Sequence, residues 1–409
     1  MVPRPDPGAA SAQRALLWAL GAGTFFVGLD ARIVAPLLPR IALEFDTSVG
    51  NASTVISSYL LPYGLCQLAY GPLADRYGKA RIAAYTFLVF SLGTAACGAF
   101  ASFWALLVMR ALTGAAAAAI FPLTIAYIGD TVPYSSRQAT LGLLMASAGA
   151  AQGLGASVGG LMGQIWSWRT IFPALGGAST VLALWLLRAS KNAVKTPRSP
   201  SGVGYWQALR SPLGPVLVVV CVEGALFMGA FPFTSGLMES RFGSGPLEIG
   251  LVLGVAGVAQ IVVAKLLPAM LARAGETRLM QLGGAAMAAA YLLTAFAPSP
   301  VWVGVGTALL GGGFCACHST LQARASEAFV AGRGRALALF AFSLFVGAGA
   351  GTLLTAAASE HFGYASSFTV ASVAFALFTL LAPRASALPA PSPPGVSTPP
   401  PAEVSRANA

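Results

Sequence analysis

The sequence predicts an all-α membrane protein, twelve transmembrane helices arranged as two pseudo-symmetric six-helix bundles. Three observations predict it. The 409 residues are 56% hydrophobic and only 9% charged, with a mean hydropathy of +0.74, a balance that a water-facing surface of this size does not tolerate. Apolar runs of roughly 20 residues, enough to cross a hydrocarbon core of about 30 Å, recur along the whole chain with short polar loops between them. Finally, the second half repeats features of the first at matching places.

In chain order the apolar runs lie near 15–38, 52–72, 80–100, 103–125, 138–162 and 169–188, then 212–236, 247–269, 278–297, 300–322, 336–357 and 364–383. The first follows Arg4 and Arg14 and is too long for a signal-peptide core, so it reads as an uncleaved span. This divides the chain into an N-terminal tail (1–13), a six-helix bundle (14–188), a polar linker rich in Lys, Arg, Pro and Ser (189–211), a second bundle (212–383) and a proline-rich tail (384–409), expected to be disordered. The repeat is specific. Arg76, Gly78 and Arg81 follow span 2 as Arg273, Gly275 and Arg278 follow span 8, and Trp166, Trp168 and Phe172 before span 6 answer to Phe362, Tyr364 and Phe368 before span 12. Parallel halves of this kind suit a transporter that rocks about a central site.

A formal net charge of +11 would suggest a nucleic-acid partner in a soluble protein; here the basic residues sit in loops and report topology instead. Arg40, Arg169 and Arg241 fall on one side and Arg32 and Arg110 within spans, while the other Lys and Arg gather on the opposite side. By the positive-inside rule that side is cytoplasmic, which places both termini in the cytoplasm and the chain in the cell's inner (plasma) membrane. The cysteines Cys66, Cys97, Cys221, Cys315 and Cys317 lie in apolar runs and imply no disulfide framework. His318 beside Cys315 and Cys317 lacks the spacing of a structural zinc site, so packing is the better reading and no metal is expected. No strand precedes Gly311-Gly312-Gly313 and there is no phosphate-binding loop, which argues against ATP-driven transport. Two isolated histidines without a nucleophile signature argue against an enzyme.

The strongest local signal is the turn Gly71-Pro72-Leu73-Ala74-Asp75-Arg76-Tyr77-Gly78-Lys79-Ala80-Arg81. Its glycines permit a tight reversal, and Asp75 can accept charge-assisted hydrogen bonds from nearby Arg or helix N-termini. The stretch resembles the signature loop between spans 2 and 3 of the major facilitator superfamily, and Arg110-Ala111-Leu112-Thr113-Gly114 resembles that family's buried-arginine motif. The resemblance covers residues 14 to 383. It implies the major facilitator fold, and a gating role for Gly71, Asp75, Arg76, Gly78 and Arg81 in latching the halves. In span 5, Gly155-Ala156-Ser157-Val158-Gly159-Gly160 is similar to the family's antiporter motif, with Ala156 where proline is usual. Gly155, Gly159 and Gly160 equally permit close helix packing whatever the function. Span 1, with Gly28-Leu29-Asp30 followed by Pro36 and Pro39, resembles the drug:proton antiporter branch of bicyclomycin-resistance type, whose members carry an acid at this place.

An ionised carboxylate at the bilayer centre costs about 2.5 to 3.5 kcal/mol on insertion scales and so needs a partner or a function. Asp30 is therefore a proton-coupling candidate, with neutralisation of Arg110 or Arg32 as the alternative. Arg32 lies about 200° around the helix from Asp30 and is expected to reach the outer interface with its long stem. Arg110 keeps its charge at any working pH and is a proton-coupling candidate as a fixed charge beside the titrating acid, or else a structural ion-pair partner; Glu223, near the middle of span 7 in a place related to that of Asp30, is a candidate for proton coupling or cation recognition, with a neutral carboxyl hydrogen-bonded to backbone as the alternative. Phe25, Phe26, Tyr59, Tyr63 and Phe227 are the aromatic candidates for a substrate cavity. The expected function is proton-coupled efflux of small amphipathic molecules by alternating access, with import of a small metabolite by a proton-coupled symporter or facilitator as the alternative, and a membrane-embedded enzyme or receptor as the reading from another class. Its partners would be a small-molecule substrate, protons and membrane lipid, with the chain a monomer, no nucleic acid bound, and the proton gradient in place of any cofactor.

Overall fold

A computed structural model describes residues 7–191, 193, 205–329 and 332–387. Most of the predicted linker (192, 194–204), residues 1–6, and residues 388–409 with the disorder expected of the proline-rich tail lie outside the described residues. Every regular element among the described residues is helical. The helices of the first half are α1 (Pro7–Ile33), α2 (Thr54–Tyr77), α3 (Lys79–Cys97), α4 (Phe103–Thr131, in two segments), α5 (Tyr134–Ile165) and α6 (Trp168–Ser190). Those of the second begin with α7 (Leu213–Phe242, interrupted by one tight turn). Pro246–Ala295 is broken at Gly275 into α8 (246–274) and α9 (276–295), α10 is Pro300–Ala328, and Arg333–Ala385 is broken at Gly363 into α11 (333–362) and α12 (364–385).

An unbroken helix of 50 residues would run about 75 Å, more than twice the hydrocarbon thickness, so each side of its break is a separate pass. Several helices overrun the predicted spans; α2 carries Asp75, Arg76 and Tyr77, because polar residues continue a helix readily once it has left the lipid. Side chains such as Val181, Leu354 and Val370 stand exposed on the outside of the bundle, a surface that only lipid satisfies.

Physical chemistry explains where the helices break, and the breaks repeat. Pro36 sits in a 3-10 turn at Ala35–Leu37 just after α1, and Pro232 in a 3-10 turn at Phe231–Phe233 within α7; each removes a backbone donor that the helix would use. The sequence repeat at the signature loop is a structural repeat as well: Gly78 turns the chain at φ 97° and Gly275 at φ 72°. That left-handed region penalises any Cβ, so glycine is required by the backbone even though a Cβ at either position would meet nothing within 4 Å.

Glycines also set how close the helices come. A Cβ on Gly114 of α4 would lie 2.1 Å from the Tyr59 carbonyl oxygen of α2, and one on Gly311 of α10 would lie 2.1 Å from the Ala256 carbonyl oxygen of α8. These are matching contacts in the two halves. The halves meet along two seams. In one, Gly153 and Gly160 of α5 face Gly257 and Gly250 of α8, and Ser157 Oγ donates to the Gly250 carbonyl at 3.2 Å. In the other, Gly64 of α2 lies under Phe345 of α11.

Candidate functional site

Between the halves lies a cavity of about 1800 Å³. Its mouth opens on the face that carries the signature loop, where Asp75 and Arg76 of α2 stand opposite Lys265 of α8 and Arg335 of α11. At the other face the halves are shut: Ser48 donates a hydrogen bond to Glu360 of α11, and Leu37 and Pro246 close over Gly163. There too Arg169 binds Glu44 at 2.5 Å and the Phe100 carbonyl at 2.5 Å, which ties the ends of the first half together. The predicted gating residues Gly71, Asp75 and Arg76 line the open mouth, whereas Gly78 forms the turn and Arg81 is exposed on the outside. Beside them Lys79 pairs with Asp130 at the end of α4. Tyr205, in the short linker helix Tyr205–Leu209, donates its hydroxyl to the Leu68 carbonyl at 3.1 Å. Burial pushes the Tyr205 phenol up, an effect that Arg335 lessens and Asp75 adds to, so it remains a proton donor to that carbonyl.

Behind the walls sit two acid–base pairs. In the first half Arg110 Nη1 donates to Asp30 Oδ2 at 2.7 Å, both side chains essentially unexposed, and the guanidinium lies 4.3 Å over the Tyr59 ring. In the second half His318 Nδ1 and Glu223 Oε2 are 2.8 Å apart. The imidazole stacks on Phe314 at 4.6 Å, and Phe314 in turn on Phe227 at 4.0 Å. The pairs use corresponding helices, an acid on the helix that opens each half (α1, α7) and a base on the fourth helix of that half (α4, α10), but at different heights: with Gly311 answering to Gly114, the counterpart of Arg110 is Thr307 and not His318. They differ in access. His318 lines the cavity, while Asp30, Arg110 and Glu223 do not. One carboxylate oxygen of each acid, Asp30 Oδ1 and Glu223 Oε1, has no hydrogen-bond partner among the described residues.

Helical phase on α1 decides which of its residues reach the cavity. Thr24, Val27, Gly28, Ala31, Arg32 and Ala35 form the wall, a stripe with the 3.6-residue period. Asp30 falls on the opposite side, toward Arg110. Arg32 lies on the wall, a placement that stem length alone did not foresee. Phe25 and Phe26 are a correction: they are off the stripe, packed edge to face on each other at 6.2 Å, and do not line the cavity. Tyr59, Tyr63 and Phe227 do line it, joined by Phe345 and Phe314. The α5 glycines separate by duty: Gly155 and Gly159 admit Arg32 and Ile33 of α1, while Gly160 admits Pro246 and Gly250 of α8. Reading residues singly missed the pairing of His318 with Glu223; the correspondence of α7 and α10 to α1 and α4 could have named the helix pair, though not the residue, since Thr307 is the counterpart of Arg110. No cluster of three metal-ligating side chains occurs among the described residues.

Known proteins agree with this architecture. The chain is 28% identical over 251 residues to the uncharacterized MFS-type transporter YwfA of Bacillus subtilis, a match covering 59% of this chain and 61% of that protein. It is 34% identical over 176 residues to multidrug resistance protein fnx1 of Schizosaccharomyces pombe, covering 42% of this chain and 33% of that one, so these matches span less than two thirds of either relative. A solved bacterial homolog of the human lysosomal transporter Spinster, inward-facing and unoccupied, shares the fold at a TM-score of 0.70 and 18% identity over 92% of this chain and 96% of its own. The sequence profile of the Major Facilitator Superfamily matches residues 20–331 and 216–407, and together with the twin bundles and the central cavity this means that the chain belongs to the Major Facilitator Superfamily of membrane transporters.

Proposed function

We propose that this protein exports small amphipathic molecules from the cytoplasm in exchange for protons by alternating access. The observation that carries the reading is the cavity, open at one face and shut at the other, with a buried acid–base pair set behind each half of its wall. The loop charges support a cytoplasmic open face, and the reading takes the protein as a monomer in the cell's inner membrane with lipid around it. The resemblance to fnx1, a multidrug resistance protein by name, supports export over import. The gradient supplies the energy: one charge moved through 100 mV releases about 2.3 kcal/mol, and no cofactor is called for.

Within that cycle Glu223 and His318 form the exchange point, since His318 alone of the four groups meets the cavity and can pass a proton between water and the buried carboxylate. Asp30 and Arg110 act as the partner pair of the first half, fixed in charge while they remain joined. In proteoliposomes loaded with a fluorescent amphipathic dye, an imposed pH gradient is expected to drive dye movement and a matching proton flux. Dye movement with no accompanying proton flux would refute the coupling, and movement running with the proton instead of against it would establish symport.

A further inference from the structure

We propose that the substrate is an organic anion, an apolar body bearing a carboxylate or sulfonate, and that Arg32 is the residue that holds the anionic group. The proposal rests on the export reading above for the cavity's role and adds the charge of its occupant. Arg32 stands on the cavity wall within the membrane, only partly exposed. It has no ion pair and no hydrogen bond among the described residues, unlike Arg110 in the same half, which is held by Asp30. A guanidinium left unpaired at membrane depth is costly, and such groups mark the path of a substrate or ion.

The surrounding wall leaves that cost for the ligand to meet. Asp75, at the mouth, is the one carboxylate that lines the cavity among the described residues. The two acids that could have received a cation are turned away from it: Asp30 is engaged by Arg110, and Glu223 lies behind His318. The cations at the mouth outnumber Asp75, with Arg76, Lys265 and Arg335 on the wall, so the entrance field draws anions inward. A cationic drug would meet repulsion on entry and no counter-charge at depth.

Two further features fit. Gly155 of α5 leaves room for the Arg32 stem, since a Cβ there would lie 2.5 Å from Arg32 Cβ. The rest of the wall is aromatic, with Tyr63 4.4 Å from Phe345 across the halves and Phe314 stacked on Phe227, surfaces for the apolar body. A planar guanidinium binds carboxylate or sulfonate through paired donors, which an ammonium does not reproduce.

The test uses the full chain in nanodiscs without any gradient. Equilibrium binding is measured for charge-matched sets built on naphthalene, biphenyl and decyl bodies, each as the carboxylate, the neutral amide and the ammonium. The carboxylates are expected to bind best. Arg32→Gln is expected to weaken them about tenfold or more while leaving the amides unchanged, and Arg32→Lys to keep the preference in part. The proposal is overturned if no carboxylate binds, if any ammonium matches its carboxylate, or if Arg32→Gln binds carboxylates as the natural chain does. The charge series on the natural chain stands by itself should Arg32→Gln fail to fold. Because no gradient is applied, failure here leaves proton-driven export standing, and absent proton coupling leaves the anion preference standing.

Discussion

Truncating one member of the Asp30–Arg110 pair should cost far more than removing both. At 2.7 Å and an effective dielectric constant of about 20, the gross attraction is about 6 kcal/mol. Much of it offsets the desolvation of two charges that the fold leaves 0% and 1% exposed. Asp30→Ala strands a guanidinium that cannot shed its proton and whose Nε already lacks a partner, so the expected loss is about 3 to 5 kcal/mol. Replacing the pair by Asp30→Leu with Arg110→Met should come within about 1 kcal/mol of the natural protein, because both desolvation penalties disappear together. Reversible unfolding in mixed micelles of increasing SDS content, followed by tryptophan fluorescence, measures each corner of the cycle. If Asp30→Ala costs under about 1 kcal/mol, or the double variant is as unstable as the single ones, the loss does not come from a stranded buried charge and the reasoning fails.

Glu223→Gln should abolish pH-driven transport while leaving exchange of substrate between the two sides without a gradient, a split read by counterflow in proteoliposomes; equal loss of both would make Glu223 structural. Gly78→Ala should lower stability by about 1 to 2 kcal/mol through backbone strain at φ 97°, visible in the same micelle titration, whereas Gly177→Ala, with nothing within 4 Å and ordinary backbone, should be nearly silent. Gly160→Val puts a branched side chain where even a Cβ would lie 2.3 Å from the Pro246 carbonyl oxygen, so it should force the α5–α8 seam apart and reduce transport severely; normal transport would deny the seam its role. Cysteines at Ser48 and Glu360, joined by an oxidant, should freeze the protein with its cavity open to the signature-loop face and stop transport until a reductant is added.

Much of the fold was legible because lipid imposes a coarse rule. Span count and order follow from apolar run length alone, and the Arg-Gly-Arg repeat located two equivalent turns whose glycines both take positive φ. Boundaries were less legible, since a helix such as α2 does not stop where the lipid does. At the site, Asp30, Glu223 and Arg110 stood out because charge is rare in spans. Their pairing did not, as partners 80 and 95 residues apart leave no linear trace. Phe25 and Phe26 were misplaced because aromatic character says nothing of helical phase, and phase is what set Arg32 on the wall and Asp30 behind it. His318 was read against its neighbours Cys315 and Cys317, because nothing linear ties it to an acid 95 residues away.

The α5–α8 seam has a mechanical consequence. Where Gly153 meets Gly257 and Gly160 meets Gly250, polypeptide lies on polypeptide, and between these points the Ser157 hydroxyl reaches across. Ordinary packed helices interlock through ridges that must unmesh before one can tilt over the other. A bare contact has no ridges to lift and no side-chain rotamers to freeze anew after each turn. Rocking of the kind proposed above would ask this line to break and remake the Ser157–Gly250 hydrogen bond, but not to unmesh interlocked side chains at these glycines.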